Sequence, residues 1–431
     1  MQMFDNAITR LFTRSEAQDP PMDAKGYSIL NHPERLAIMV LVVFSAVFFI
    51  RNGISFYATV DFSSRGLGDA EAPDFFVFYS TARMLWENAR IEDLYDFSML
   101  KAFQISLGAG EAGQHPFNYP PTYLFIIWPL GAVSYPVALI IWQALNLGVL
   151  AIALHVAGLR RWEMVAAMVA PATVLNFAAG QNGCFTTALL ISGLALLGRR
   201  QISSGGLFGL LTIKPHLGLL LPVVCLAQRR WQTIFYAAFT AFALVGASIV
   251  AYGPDSWTAY LDFLVEFQAR VRAQISSDFM KYSASVLLAE QFIGLPKAFA
   301  YFIQSAISIG VAVIVYLAYR RPISEDLRMI LVLVGVSLVT PFGFLYDLPF
   351  IAVATVLMTR IALRNGFLPL EGFWLAAIWF TPYLSVFFIE KGIPVAPWTH
   401  LIFFGYVLAR IGTEVTTGNE RPALLSRPQT G

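Results

Sequence analysis

Residues 199–230 read RRQISSGGLFGLLTIKPHLGLLLPVVCLAQRR, an apolar run closed at both ends by arginine pairs and broken in the middle by Lys214-Pro215-His216. A single membrane crossing would put Arg199-Arg200 and Arg229-Arg230 on opposite sides, although basic residues gather on the cytoplasmic side of a membrane. Two half-helices that enter from one side and meet at the Lys-Pro-His tip remove the conflict. Irregular backbone is tolerated at membrane depth only where it is buried in protein or lines a cavity, so the tip is expected to face one. A lysine in such a run costs about 2.5–3.5 kcal/mol on insertion scales, and residues kept there are usually functional. The competing reading is that Lys214 snorkels or pairs with a nearby acid. With His216 two residues on, a cationic site for an anionic headgroup is the stronger reading.

Outward from this stretch the chain repeats the same grammar. Of 431 residues, 57% are hydrophobic and 13% charged, with mean hydropathy +0.63. A soluble domain carries about 25% charged residues. Apolar runs cover 36–57, 135–158, 162–178, 183–198, 231–252, 297–319, 327–341, 347–363, 367–389 and 397–410. Each meets or approaches the roughly 20 residues that cross about 30 Å of hydrocarbon. Arg160-Arg161 and Arg320-Arg321 fall between them, Arg360, Arg364 and Arg410 continue the pattern near run ends, and all of these, with the N-terminus, are expected in the cytoplasm. The expected fold is all-α, a polytopic transmembrane helical bundle of about ten full spans with re-entrant or broken helices.

The expected organisation is a cytoplasmic segment 1–35, a membrane domain 36–412 and a disordered cytoplasmic tail 413–431. No cleaved signal peptide is expected, since the polar start lacks an apolar core with a small-residue cleavage site. The outer side carries two large loops, 58–118 and 253–296. Within the first, residues 74–90 (DFFVFYSTARMLWENAR) suggest an amphipathic helix at the membrane surface. The short run 119–133 is interrupted by Pro129 and Gly131. A net charge of +2 argues against nucleic acid as a partner. Cys184 and Cys225 both lie in apolar runs, so neither a disulfide framework nor a metal cluster is expected. No nucleotide-binding glycine fingerprint is evident, and no cofactor is expected.

Several polar residues stand out against this background. Asp74 opens an aromatic helix, where it can cap the helix dipole or, partly desolvated, act as a general base. The other first-loop acids, among them Asp61, Asp69, Glu71 and Glu111, read as solvated loop charges. Tyr95-Asp96 and Asn118-Tyr119-Pro120-Pro121 frame the return to the membrane and serve as turns in the simplest reading. Gln181 and Asn182, between two spans, either satisfy helix ends or hydrogen-bond a polar substrate. Tyr346-Asp347 opens a span, and Asp347 either completes a helix terminus or faces the outer cavity.

Taken in order, these residues resemble glycosyltransferase family 87, the polyprenol-phosphate-sugar-dependent transferases of the GT-C membrane fold. The pattern is Asp74-Phe75 with Tyr79, then Leu94-Tyr95-Asp96, Tyr119-Pro120-Pro121, Gly180-Gln181-Asn182, a glycine-rich run into Lys214-Pro215, and Tyr346-Asp347. The resemblance covers about residues 36–410. It implies transfer of a sugar, often mannose or arabinofuranose, from a polyprenyl phosphate to a lipid or glycan acceptor at the outer face of the plasma membrane. It casts Asp74 as base and Lys214 as a phosphate contact. His216, Tyr79, Tyr119, Gln181, Asn182, Tyr346 and Asp347 are the further substrate-binding candidates. Some relatives carry a histidine in the late outer loop, where this chain has Tyr346-Asp347.

Direct displacement at an anomeric carbon needs a base beside the acceptor hydroxyl and positive charge around the leaving phosphate. It inverts the configuration. Two other classes share parts of the pattern. A transporter or flippase for a lipid-linked intermediate also needs broken helices and an intramembrane lysine, usually with repeat symmetry. An oligosaccharide polymerase or ligase would place arginines in outer loops, as Arg270 and Arg272 could be.

Overall fold

The computed structural model describes residues 33–59, 73–108, 115–273 and 282–425. Residues 1–32 of the N-terminal segment, 426–431 of the tail, and Asp61, Asp69, Glu71 and Glu111 lie outside the described residues, as do the side chains of Arg270 and Arg272. Among the described residues the chain is all-helical, apart from one isolated bridge between Ser283 and Phe344.

The helices are α1 (Pro33–Thr59), α2 (Pro73–Trp86), α3 (Phe97–Ser106), α4 (Tyr135–Val156), α5 (Arg161–Val169) and α6 (Pro171–Ala179). They continue with α7 (Gly183–Leu196), α8 (Gln201–Leu210), α9 (Leu221–Ala227), α10 (Trp231–Tyr252), α11 (Asp255–Ala273) and α12 (Val286–Phe292). The last six are α13 (Lys297–Tyr319), α14 (Glu325–Val339), α15 (Pro349–Asn365), α16 (Glu371–Trp379), α17 (Thr381–Ile389) and α18 (Val395–Leu425). Two bends have a proline behind them. Pro171 follows a 51° break between α5 and α6, and Pro382 a 73° break between α16 and α17. A proline has no N–H to give to the preceding turn, so the helix restarts in a new direction.

By length and composition, α4, α10 and α13 can each cross a membrane, and the two bent pairs raise the number to five among the described residues. The expected count of about ten is therefore not reached on that criterion. Several apolar stretches form helices too short to span alone, such as α7 and the two arms 201–213 and 215–227. The last helix runs to Leu425, past the boundary expected at 412.

The stretch 199–230 is a broken hairpin. α8 tightens into a 3-10 turn at Leu211–Ile213, the chain breaks at Lys214, and a second 3-10 turn, Pro215–Gly218, leads to α9. Its ends meet, for a Cβ added to Gly198 would sit 3.9 Å from the Arg230 guanidinium. Glycines let α8 lie directly on α10. A Cβ on Gly205 would come within 2.6 Å of Thr233 O, and one on Gly209 within 2.5 Å of Thr240 Cβ. Small residues four apart allow this close approach of backbones where lipid gives no hydrophobic drive to helix pairing.

α2 departs from the expected surface helix. Phe75 to Ala82 are all buried, beneath the helical turns Pro121–Ala132 and α4. Phe75 and Phe78 pack on Trp142, and Tyr79 on Tyr135. Gly131 permits the approach, since its Cβ would lie 2.6 Å from the carbonyl carbon of Ala82. A helix that is apolar nearly all round is buried nearly all round.

The bundle has two chemically different ends. At one, Arg360 pairs with Glu163 and with Asp326, and reaches Gly158 O, while Arg410 pairs with Glu371. α14 starts at this end, beside Arg328 and Asp326, and finishes at Thr340, whose hydroxyl is 3.4 Å from His216 O. The Lys-Pro-His tip thus belongs to the opposite end.

Candidate functional site

The site is assembled from five separate stretches of chain. Lys214 has φ −138° and ψ 74°, outside the helical region, so the helix is interrupted at this residue. Its Nζ donates to Asp347 Oδ1 at 2.5 Å, with the side chains only 6% and 4% exposed. Asp347 ends a single 3-10 turn, Leu345–Asp347, between α14 and α15. Two aromatic faces flank the ammonium group: the Tyr119 ring centroid is 5.4 Å away and the Tyr346 centroid 5.8 Å. Such faces attract a cation through the ring quadrupole.

Tyr119 is fixed in turn. Its ring stacks on Tyr123 at 4.4 Å, and its hydroxyl donates to Gln181 Oε1 at 3.0 Å. Gln181 Oε1 also accepts from the Asn182 backbone N–H at 3.3 Å. Gln181 and Lys214 both act on the Asp74 carboxyl, which brings the first-loop acid to the same cluster. Asp74 lies at the start of α2, and the residue is half-buried. Burial pushes its carboxyl above the usual carboxylate range, His115, Gln181 and Lys214 pull it back, and Asp347 pushes it further up. The two acids are therefore close enough to feel one another, and both feel Lys214, which pairs with Asp347.

Gly180 and the residues after it explain how the loop between α6 and α7 reaches the cluster. Gly180 takes the left-handed conformation (φ 66°) that ends α6, and its carbonyl accepts from Trp142 Nε1 at 2.8 Å. Asn182 Nδ2 donates to the Tyr123 hydroxyl at 3.0 Å, while the buried Asn182 Oδ1 has no partner among the described residues. His216 is half-buried beside Lys214 and Asp347, and its Nε2 also lacks a partner among the described residues.

Of the candidates chosen from the sequence, Asp74, Tyr119, Gln181, Asn182, Lys214, His216, Tyr346 and Asp347 come together. Tyr79 does not join them. Its hydroxyl donates to Val133 O at 3.2 Å, on the side of α2 that packs against Tyr135. Asn176 and Tyr123 were not singled out by sequence. Asn176 Nδ2 donates to Tyr346 O at 2.9 Å, and its Oδ1 accepts from the Cys184 backbone N–H at 3.3 Å, so it ties the Tyr346-Asp347 turn to the start of α7. Gly183 lies under the same turn, with Asp347 Cα 3.1 Å from where its Cβ would be. An asparagine inside the apolar run 162–178 was the available signal.

Among the described residues no group of three or more His, Cys, Asp and Glu side chains is arranged to hold a metal ion. An apolar cavity of about 290 Å³, lined by Ile38, Trp162, Thr359, Phe367 and Trp379 among others, shares no residue with this cluster. It offers almost nothing polar to bind a headgroup.

Compared with known proteins, the chain matches the model of glycosyltransferase family 87 over residues 117–341. The match includes Tyr119, Gln181, Asn182, Lys214 and His216 and stops just short of Tyr346-Asp347. No curated protein and no solved structure matches it.

Proposed function

The chain belongs to glycosyltransferase family 87 and is a membrane glycosyltransferase, and from that premise we propose that its donor is a sugar on a polyprenyl monophosphate. The acceptor is a hydroxyl of a lipid or glycan at the outer membrane face, and the transfer inverts the anomeric centre. Mannose and arabinofuranose are the sugars that the family resemblance favours. The reading rests on one observation above all, a buried lysine at the break of an apolar hairpin, paired with the Asp347 carboxylate and within electrostatic reach of Asp74.

In this mechanism Asp74 takes the proton of the acceptor hydroxyl as its oxygen attacks the anomeric carbon. The bond from that carbon to the phosphate oxygen breaks, and its electron pair leaves with the prenyl phosphate. Negative charge grows on the phosphate next to Lys214, where a preplaced cation is worth most because little water competes. A positioned base typically contributes 10²–10⁴-fold in rate, about 3–5 kcal/mol. Asn182 Oδ1 and His216 Nε2, buried without partners, suit sugar hydroxyls, since an unpaired buried polar atom gains most from a new hydrogen bond. Tyr119 and Tyr346 give the sugar flat apolar walls.

The test is Lys214→Gln in purified protein in detergent, with donor affinity and single-turnover release of prenyl phosphate measured side by side. Only stabilisation that is greater in the transition state changes the rate of bound donor. Turnover is expected to fall more than affinity. Lost affinity with unchanged turnover of bound donor rejects the leaving-group role, and absence of transfer by the wild type across donors and acceptors favours a transporter.

A further inference from the structure

We propose that Asp347 occupies the seat of the donor phosphate in the resting protein, and that the phosphate enters by displacing the Asp347 carboxylate from Lys214. This rests on the polyprenyl-phosphate reading of the same site.

The first reason is the charge count. Lys214 already has a carboxylate oxygen 2.5 Å away, and Asp74 is a second acid within electrostatic reach. With Asp74 ionised, as a base must be, a phosphate added to this arrangement would put three anions around Lys214, with His115 beside Asp74 as the other nearby cation, in a place that water barely enters. Like charges so close repel strongly at low dielectric. The phosphate can bind only if one carboxylate gives up its place or its charge. Asp74 is needed as base, which leaves Asp347.

The second reason is how loosely Asp347 is held compared with Glu163 and Glu371, the buried acids paired with arginines. Glu163 accepts from Arg360 Nε, Arg360 Nη2 and the Arg160 backbone N–H. Glu371 accepts from Arg410 Nε, Arg410 Nη2 and the Leu368 backbone N–H. These are satisfied structural pairs. The Asp347 carboxylate has a single donor among the described residues, Lys214 itself. One bond can be exchanged for another of the same kind, because a phosphate offers the ammonium group the same oxyanion.

The third reason is that the surroundings stay put while the exchange happens. Asn176 and Gly183 fix the backbone of the Tyr346-Asp347 turn, so a side-chain rotation is enough to vacate the seat. The Tyr119 and Tyr346 rings remain against the ammonium group when the carboxylate leaves. The pair also lets an otherwise lone buried cation persist before donor arrives.

The experiment titrates the full chain in detergent with a polyprenyl monophosphate and, separately, with inorganic phosphate. The proteins are the wild type, Asp347→Asn, Asp347→Glu, and Lys214→Gln with and without Asp347→Asn. If the carboxylate fills the seat most of the time, removing its charge tightens prenyl-phosphate binding about tenfold or more, in proportion to the fraction of time the seat was closed. Asp347→Glu gains nothing, and adding Lys214→Gln abolishes the gain. Should Asp347→Asn fail to fold, Asp347→Ser carries the same comparison. Unchanged or weaker binding of both ligands by a folded, charge-free variant overturns the exchange and makes Asp347 a positioner of the lysine. A gain for inorganic phosphate alone supports the exchange and rejects the polyprenyl donor.

Discussion

At the scale of single residues, the burial of Asp74 has a consequence with a definite sign. Burial raises its carboxyl above the ordinary 3.8. Folding therefore favours the protonated form, a contribution to stability that is complete below the unfolded value and lost as pH rises through the folded one. The proposed role as base needs the other form. Single-turnover transfer is expected to rise with pH along a limb above 3.8, and that limb should vanish in Asp74→Asn together with about 10²–10⁴-fold of the rate. A limb at or below the ordinary value would remove Asp74 as the base. Asn176 makes a second case. Its amide satisfies both Tyr346 O and the Cys184 N–H, so Asn176→Ala leaves two buried backbone groups unpaired. We expect a loss of about 1–3 kcal/mol in stability, read from melting, with slower turnover as the Asp347 turn loosens. Full turnover with an unchanged melting temperature would show that the turn is held by something else.

At the scale of elements, the hairpin depends on α8 lying against α10 through Gly205 and Gly209. Gly209→Val drives two extra methyl groups into Thr240 and Ala237 O, and overpacking of this kind costs about 1–3 kcal/mol. Gly206, on the same helix, is a control. A Cβ there would be 3.9 Å from Thr240 Oγ1, and alanine in a helix interior is about 0.5–1 kcal/mol better than glycine. Thermal melting in detergent should drop for Gly209→Val and hold or rise for Gly206→Ala. Equal behaviour of the two would show that α8 does not sit on α10 in this register. The same reasoning explains why α2 could not be placed from its sequence. Aromatic side chains at helical spacing suit a lipid interface and a packed interior equally well, and only the cover supplied by residues 121–132 and α4 chose the interior.

At the scale of the whole molecule, the arginine-rich end and the lysine site sit at opposite ends of α14. From the positive-inside rule we predict that the arginines face the cytoplasm and the site the outside. Single cysteines report on this directly, and the native Cys184 and Cys225 are buried enough to keep the background low. Lys101→Cys, exposed on α3, should react with an impermeant thiol reagent added from outside, and Pro322→Cys, exposed before α14, only from the cytoplasm. Reaction in the reverse pattern would turn the whole topology over and take the outer-face reaction with it.

Hydropathy and charge are local properties, and the sequence by itself determined what depends on them. The helical membrane class, the break at Lys214 and the return of the chain to the arginine side could all be read from runs and their flanks. Span length was less legible, since 14 residues such as those of α7 cross little lipid unless other helices surround them. Only the tertiary structure could join Lys214 to Asp347, 133 residues away, turn Tyr79 toward Val133, and bring Asn176 under Tyr346. The reason is physical. A sequence pattern tells which face of a helix is apolar, but the partner of a polar side chain is decided by which helices pack beside it, and that choice is made by glycine contacts and ring packing spread over the entire bundle.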